Sequence, residues 1–281
     1  MKDAGHPVIP LAGVIGAPVA HSRSPALHRH WLARYGIAGH YVPLDVAQSD
    51  LAEVLRLLPR MGFVGCNVTI PHKERVLQLA DIVTDRASLI GAANTLIYRK
   101  DGKLHADNTD GYGFLANLRQ EVPHWHAPAG PAAVLGAGGA ARAVVAALLD
   151  AGVPEIRIAN RTRARSDALR LEVGARLTVY DWVEVGAMLD QALTVVNTTS
   201  LGMVGKPELR IPLDALSPRA VVCDLVYAPL RTSLLEDAAR NGCTTVDGLG
   251  MLLHQAAPGF ERWFGRRPEV DAAARAAVLE G

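Results

Sequence analysis

The stretch AAVLGAGGAARAVVAALLDAG, residues 132–152, restricts the folds open to this chain more than any other segment. A short apolar run enters a glycine-rich turn, and an apolar, helix-forming run leaves it. Gly136-Ala137-Gly138-Gly139-Ala140-Ala141 fits G-x-G-x-x-G/A, with Ala141 in the third small position. The first glycine permits a tight turn, the second lets a pyrophosphate approach the backbone, and a small third residue lets helix and strand pack closely. Free N–H groups and the positive dipole end of the following helix then face the phosphates. Glycines also build plain turns, so the motif alone is weak. Here a strand precedes it, a helix follows, and a second strand, EIRIANR at 155–161, comes at the spacing of a βαβ unit. Together they predict a Rossmann-like, doubly wound half that binds a dinucleotide.

The end of that second strand selects the dinucleotide. NAD-binding units usually carry Asp or Glu there, to hold the ribose 2′-hydroxyl. This chain has Asn160-Arg161-Thr162, with Arg165 a little further on. A carboxylate would repel a 2′-phosphate, whereas a guanidinium pairs with it bidentately. Solvated arginines at a helix start are the alternative; their alignment with the glycine motif favours NADP.

The rest of the chain alternates short apolar runs with longer amphipathic ones. LAGVIG (11–16), HYVPLDV (40–46) and FVGCNV (63–68) read as strands. SPALHRHWLARYG reads as a helix with Ser24 as N-cap and Pro25 at the first helical position. SDLAEVLRLLPRMG is a second helix, and Pro71 opens a third through HKERVLQLAD. NTLIYRKDGKLHADN is a hairpin turning at Asp101-Gly102. This alternation predicts a mainly parallel sheet covered by helices. A helix runs from Asp110 to about Glu121, and VPHWHAPAGP (122–131) is the clearest linker. ALTVVNTT, AVVCDLV and CTTVDG are later strands of the second sheet. MLLHQAAPGFERWFG, a long amphipathic helix, follows that sheet and is free to pack on the first domain.

With 281 residues, about half of them apolar, the chain can bury two cores. A formal net charge of +1 argues against a nucleic-acid binder, which would carry a basic excess. Cys66, Cys223 and Cys243 are scattered without metal-ligand spacing, so they read as reduced thiols of a cytoplasmic protein, with no metal. Met1–Pro7 lacks the apolar centre of a signal peptide, and no apolar run is long enough to span a membrane. The expected partner is a small molecule, and the expected assembly a monomer or homodimer.

Three further clusters carry chemistry. In NVTIPHKE, Lys73 follows Pro71 at the expected helix start, where the dipole disfavours an ammonium. Partial burial would lower its pKa further, toward a useful acid–base group. An isolated lysine there is more often simply solvated. In HSRSP, Ser22 and Ser24 sit at a strand-to-helix turn, suited either to an anion or to plain capping. In NTDG, Asp110 reads on its own as a helix N-cap.

These clusters occur in one order along VIGAPVAHSRSPALH, NVTIPHKE, GAANTL, DNTDGYGF, GAGGAARAV, NRT, NTTSLGM, DLVYAPLRTSLL and DGLGMLLHQAA. Nine co-linear motifs across nearly the whole chain resemble the shikimate dehydrogenase family, NADP-dependent oxidoreductases of aromatic amino-acid biosynthesis. The resemblance implies a substrate domain over 1–109, completed by a C-terminal helix at 248–281, and an NADP domain over 110–247. It implies Lys73 and Asp110 as the catalytic pair and leaves open which of them moves the proton. Ser22 and Ser24 would hold the substrate carboxylate, with Tyr227 nearby, and Thr69, Asn94 and Gln255 the ring hydroxyls. Gly136, Ala137, Gly138, Gly139, Ala140, Ala141, Asn160, Arg161, Thr162 and Arg165 would hold NADP, with Thr198, Leu225, Gly248 and Met251 toward the nicotinamide. NTTS in place of the commoner NATS, with Thr198 as the changed residue, is a slight departure. A quinate/shikimate dehydrogenase with relaxed cofactor use and a non-catalytic NADP-binding regulator are the competing readings. The strand-end arginine speaks against the first, and the presence of both Lys73 and Asp110 against the second.

Overall fold

A computed structural model describes residues 9–280, so the reading of Met1–Pro7 lies outside the described residues. The chain divides into two compact units, one of residues 1–109 and 253–281 and one of residues 110–252.

The first unit holds β1 (Leu11–Gly16), β2 (His40–Asp45), β3 (Phe63–Val68), β4 (Ile82–Val83), β5 (Thr95–Tyr98) and β6 (Leu104–Asp107) in the order β2-β1-β3-β5-β6-β4. β1 pairs parallel with β2 and β3, whereas β5 runs antiparallel to both β3 and β6. The hairpin turn between β5 and β6 carries Gly102 at φ 83°, a backbone region that favours glycine. Helices α1 (Ser24–Arg34), α2 (Leu51–Leu57) and α3 (Asp85–Ile90) belong to this unit. Ile15, Leu51, Cys66 and Leu96 form its best-buried core.

The second unit holds β7 (Ala132–Leu135), β8 (Ile156–Ala159), β9 (Leu177–Tyr180), β10 (Thr194–Asn197), β11 (Val221–Asp224) and β12 (Thr244–Val246). All pair parallel in the order β12-β11-β10-β7-β8-β9, so chain order reverses between β7 and β10. That is the doubly wound arrangement. Its helices are α4 (Asp110–Glu121), α5 (Gly139–Asp150), α6 (Arg163–Val173), α7 (Val185–Met188) and α8 (Ser233–Arg240).

The Pro/His-rich stretch 122–131 is no linker. It runs inside the second unit, where Val122 and Ala127 join the core and Trp125 Nε1 donates to Thr194 Oγ1 at 3.0 Å. Its composition suggests a tether, but two apolar anchors hold it down.

The C-terminal segment is two helices rather than one, α9 (Leu249–Phe264) and α10 (Ala272–Glu280). Gly265 at φ 77° ends α9 in the left-handed conformation that closes many helices, and Pro268 follows. Within the first unit Trp263 donates to Leu96 O at 3.0 Å, and its indole lies where a Cβ at Gly65 would stand. Only glycine admits that ring. Trp31 Nε1 donates to Glu269 O at 3.1 Å, and Arg34 pairs with Asp271 at 2.7 Å and Glu269 at 2.8 Å.

Candidate active site

In each unit the functional side chains gather at one sheet edge, the carboxyl end of the parallel strands, where α/β sheets bind ligands. In the first unit, Ser22 and Ser24 follow β1, Thr69 and Lys73 follow β3, and Thr109 follows β6. Asn94 precedes β5, whose antiparallel run brings its start to the same edge.

Ser24 does not cap α1. The N-cap is Arg23 and makes no side-chain cap bond; Ser24 is the first helical residue, and its N–H donates to Ser22 Oγ at 3.3 Å. Ser22 N donates to Val19 O at 2.9 Å, so the two serines share one tight turn. On the role that the resemblance implies for them, replacing both with alanine is expected to raise KM for the carboxylate substrate and leave that for the dinucleotide unchanged, at about 1.5–3 kcal/mol per lost bond to a charged group. Steady-state kinetics check this, and an unchanged substrate KM returns the serines to turn-forming.

Lys73 does not sit at the start of an α-helix. The Ile70–Pro71 bond is cis, residues 71–74 form turns, and a short 3-10 helix, Arg75–Gln78, follows. The helix-dipole argument for Lys73 therefore falls. Tertiary anchors place it instead: Ala93 N donates to Lys73 O at 2.8 Å, and the fully buried neighbour His72 bonds Val46 O through Nε2 at 2.8 Å. A half-buried side chain on a pinned backbone is the result.

Asn94 organises the rest of this edge. Its Oδ1 accepts from Thr95 Oγ1 (2.9 Å), Thr109 N (2.9 Å) and Thr109 Oγ1 (3.1 Å), and its Nδ2 donates to Gln255 Oε1 at 3.0 Å. Thr109 Oγ1 also lies 2.8 Å from Gln255 O, so Asn94, Thr109 and Gln255 form one buried cluster. Asp110, the next residue, opens α4 and is 4% exposed. Thr109 and Asn67, both buried, also belong to the cluster around Asn94, and the sequence alone did not single them out although DNTDG and NVT contain them.

Beneath this edge His28 of α1 is fully buried among Trp31, Tyr41, Phe260 and Trp263, with neither ring nitrogen partnered. Burial holds its pKa down to about 3, against 6.5 in the unfolded chain. Between those values the unfolded state binds a proton that the folded state refuses. Stability is therefore expected to fall as pH drops below about 6.5, by ~1.4 kcal/mol per pH unit from this group. Urea unfolding at pH 7, 6 and 5 checks it: His28→Leu should lose that part of the slope, and parallel curves for the two proteins would refute the assignment.

In the second unit the glycine-rich turn follows β7. Gly136 lies at φ 105°, and a Cβ there would stand 2.6 Å from Thr198 Oγ1. Nothing lies within 4 Å of a Cβ built on Gly138, the N-cap of α5, so the backbone is open to close approach. Ala137 and Ala141 are buried, whereas Gly139 and Ala140 sit half-exposed in the first turn of α5. Thr198 follows β10 and donates to Leu135 O at 2.6 Å, tying its loop to the glycine turn.

After β8, Asn160 spends its amide on Thr162 O at 2.9 Å, and Thr162 is the N-cap of α6. Arg161 and Arg165 are exposed, and neither guanidinium has an ion pair or hydrogen bond among the described residues. Arg163 between them is tied to Asp181 at 2.7 Å and to Asp167 at 3.7 Å. An open glycine cradle and two open cations fit a dinucleotide with a 2′-phosphate.

Leu225 and Tyr227 follow β11, and Gly248 and Met251 follow β12. Gly248 packs its Cα against the Leu225 and Val226 carbonyls, where no Cβ fits, and Met251 joins the core. Asp224 ties these loops together, accepting from Asn197 Nδ2 (2.9 Å), Val226 N (3.0 Å) and Thr232 Oγ1 (2.7 Å). Burial raises its carboxyl above the usual range despite those bonds. Among the described residues no cluster of His, Cys, Asp or Glu is placed to hold a metal, and no helix is long and apolar enough to cross a membrane.

Known proteins share this arrangement. Residues 14–96 match the family model of the shikimate dehydrogenase substrate binding domain, 124–204 that of shikimate/quinate 5-dehydrogenase, and 248–278 that of the shikimate 5′-dehydrogenase C-terminal domain. A shikimate dehydrogenase (NADP(+)) of Cereibacter sphaeroides is 74% identical over 271 residues, 96% of this chain and 97% of the relative. That of Paracoccus denitrificans is 71% identical over 96% of each chain. The Thermus thermophilus shikimate 5-dehydrogenase, crystallised with NADP(H) and shikimate, is 37% identical with a TM-score of 0.86, covering 97% of this chain and 99% of that one. A Corynebacterium glutamicum quinate dehydrogenase in complex with NAD is 32% identical with a TM-score of 0.89, covering 97% and 99%. Backbone likeness alone thus does not choose between the two substrates, whereas identity above 70% across nearly the full length points one way. The chain belongs to the shikimate dehydrogenase family.

Proposed function

We propose that this chain catalyses the reversible NADPH-dependent reduction of 3-dehydroshikimate to shikimate in aromatic amino-acid biosynthesis. It is an NADP-dependent oxidoreductase acting on a CH–OH group. The structural observation that carries the reading is the edge cluster of the first unit, where the pinned Lys73 backbone adjoins the Asn94–Thr109–Gln255 network.

NADPH, when bound, supplies the hydride. The oxygen of the 3-keto group then needs one proton, and Lys73 donates it or takes it back in the oxidation direction. Asp110 accepts a hydrogen bond from the same hydroxyl and orients it. Asn94, Gln255 and Thr69 bind ring hydroxyls, and Ser22 and Ser24 hold the carboxylate, with Tyr227 assisting. The glycine turn and Arg161 and Arg165 hold NADP, with Asn160 and Thr162 shaping their turn. The reduced, buried thiols of Cys66, Cys223 and Cys243 suit work in the cytoplasm.

Absorbance of the reduced cofactor, followed with shikimate or quinate crossed with NADP⁺ or NAD⁺, tests the reading. Shikimate with NADP⁺ is expected to lead. Turnover of quinate with NAD⁺ at equal efficiency would transfer the chain to the quinate type, and no turnover with any pair would make it a regulator.

A further inference from the structure

Two polar side chains at the carboxyl ends of β10 and β11, Asn197 and Asp224, are buried to 0% and 1% exposure and bonded to each other. Asn197 Nδ2 donates to Asp224 Oδ1 at 2.9 Å and to Leu201 O at 3.2 Å. Its Oδ1 accepts from Thr199 N at 3.0 Å and from Thr199 Oγ1 at 2.7 Å. A side-chain amide has two N–H donors and two lone pairs, so all four are spent and the group has one orientation. Flipped, it would set its own N–H against that of Thr199.

Asp224 faces three neutral donors. Beside Asn197, its Oδ1 accepts from Val226 N at 3.0 Å, and its Oδ2 accepts from Thr232 Oγ1 at 2.7 Å. That hydroxyl is also the N-cap of α8, accepting from Leu235 N. The pair therefore fixes three segments: residues 199–201 after β10, residues 225–226 after β11 and the first turn of α8. A fourth rests on them. A Cβ on Gly248 would stand 2.3 Å from Leu225 O and 2.8 Å from Val226 O, so the loop after β12 is seated on the one that Asp224 holds.

The strand order says what these loops meet. A doubly wound sheet takes its dinucleotide across the point where that order reverses, here between β7 and β10. Arg161 and Arg165 mark the β8 side for the adenosine half with its 2′-phosphate, so the other half extends over β10 and β11. We propose that Asn197 and Asp224 are positioning residues for the nicotinamide half of NADP: too buried to touch it, they hold the loops of Thr198 and Leu225 beneath it. This rests on the proposed NADP binding, with its adenosine half over β8. The role lies in the ties and not in the carboxylate's charge. An asparagine at 224 would keep its oxygen on Asn197 Nδ2 and Val226 N and turn its amide to Thr232 Oγ1, since a hydroxyl accepts as well as donates.

Asp224→Ala cuts the ties and Asp224→Asn keeps them. In the cofactor-free protein, Asp224→Ala is expected to speed amide hydrogen exchange over 199–202 and 225–227 and to leave the glycine turn at its wild-type rate. Its kcat/KM for NADP⁺ should fall about a hundredfold, the cost of misplacing a reacting group by about an ångström. The inhibition constant of 2′,5′-ADP, which lacks the nicotinamide half, should not change, whereas general loosening of the unit would weaken it too. Asp224→Asn should restore both exchange and kinetics. An equal loss for NADP⁺ and 2′,5′-ADP, or no rescue by asparagine, overturns the proposal. An unchanged kcat/KM in Asp224→Ala with a lowered one in Leu225→Ala overturns it alone, whereas no change in either variant also removes the cofactor placement beneath it. Should Asp224→Ala fail to fold, Thr199→Val decides by the same comparison of NADP⁺ with 2′,5′-ADP, because it leaves the pair in place and removes one hydroxyl that Asn197 holds.

Discussion

Lys73→Ala is expected to lower kcat by about two to four decades, the usual worth of a positioned general acid or base. That is roughly 3–5.5 kcal/mol of transition-state stabilisation at about 1.4 kcal/mol per decade. The expectation stands on placement. Lys73 emerges half-buried from a turn whose backbone is held by Ala93 N at 2.8 Å and whose neighbour His72 is locked on Val46 O. Such a backbone wastes little binding energy on ordering the amine, and the main chain keeps its place when the side chain is removed. The loss should therefore fall on kcat, with KM for shikimate and the melting temperature changing little. Steady-state and single-turnover rates of the variant measure it. A kcat near that of wild type would leave Lys73 as a substrate contact at most.

The second large effect is expected in cofactor choice. NADP⁺ differs from NAD⁺ by one phosphate of up to two negative charges, and two open guanidiniums, Arg161 and Arg165, stand at the strand end proposed to hold it. At about 1.5–3 kcal/mol per charge-assisted bond, two contacts favour NADP⁺ by roughly two to four decades in kcat/KM. Asn160 spends its amide on Thr162 O and has no carboxylate for a free 2′-hydroxyl, so NAD⁺ gains nothing in return. Arg161→Ala should erase much of the preference by harming NADP⁺ and leaving NAD⁺ nearly untouched. Because both arginines are exposed, the preference should also shrink as salt is added. Arg163→Ala is the control. Its guanidinium is held by Asp181 and Asp167, so its loss should change the ratio little. Equal use of both cofactors by the wild type would make Arg161 and Arg165 ordinary surface charges.

What the sequence determined by itself is local. The glycine turn was legible because a left-handed φ at Gly136 and the absence of a Cβ are properties of single residues. The hairpin at Gly102 was legible for the same reason, and so was the place of Arg161 and Arg165 just after β8, because their offset from the glycine motif is a fixed count along one βαβ unit. The tertiary structure decided whatever depends on partners distant in the chain. Pro71 promised a helix start by its own geometry, but Ala93 and Val46 capture the segment's backbone and neighbour, and Lys73 comes to lie in a turn. The stretch 122–131 has the composition of a tether, yet Val122 and Ala127 find a core to enter. Arg163 looks like its neighbours until β9 brings Asp181 beside it. The line from Tyr41 through Asn67 to Asn94 joins three separate segments of the chain. No local propensity encodes such a line, because each of its bonds exists only after the sheet has set the register of β1, β2, β3 and β5.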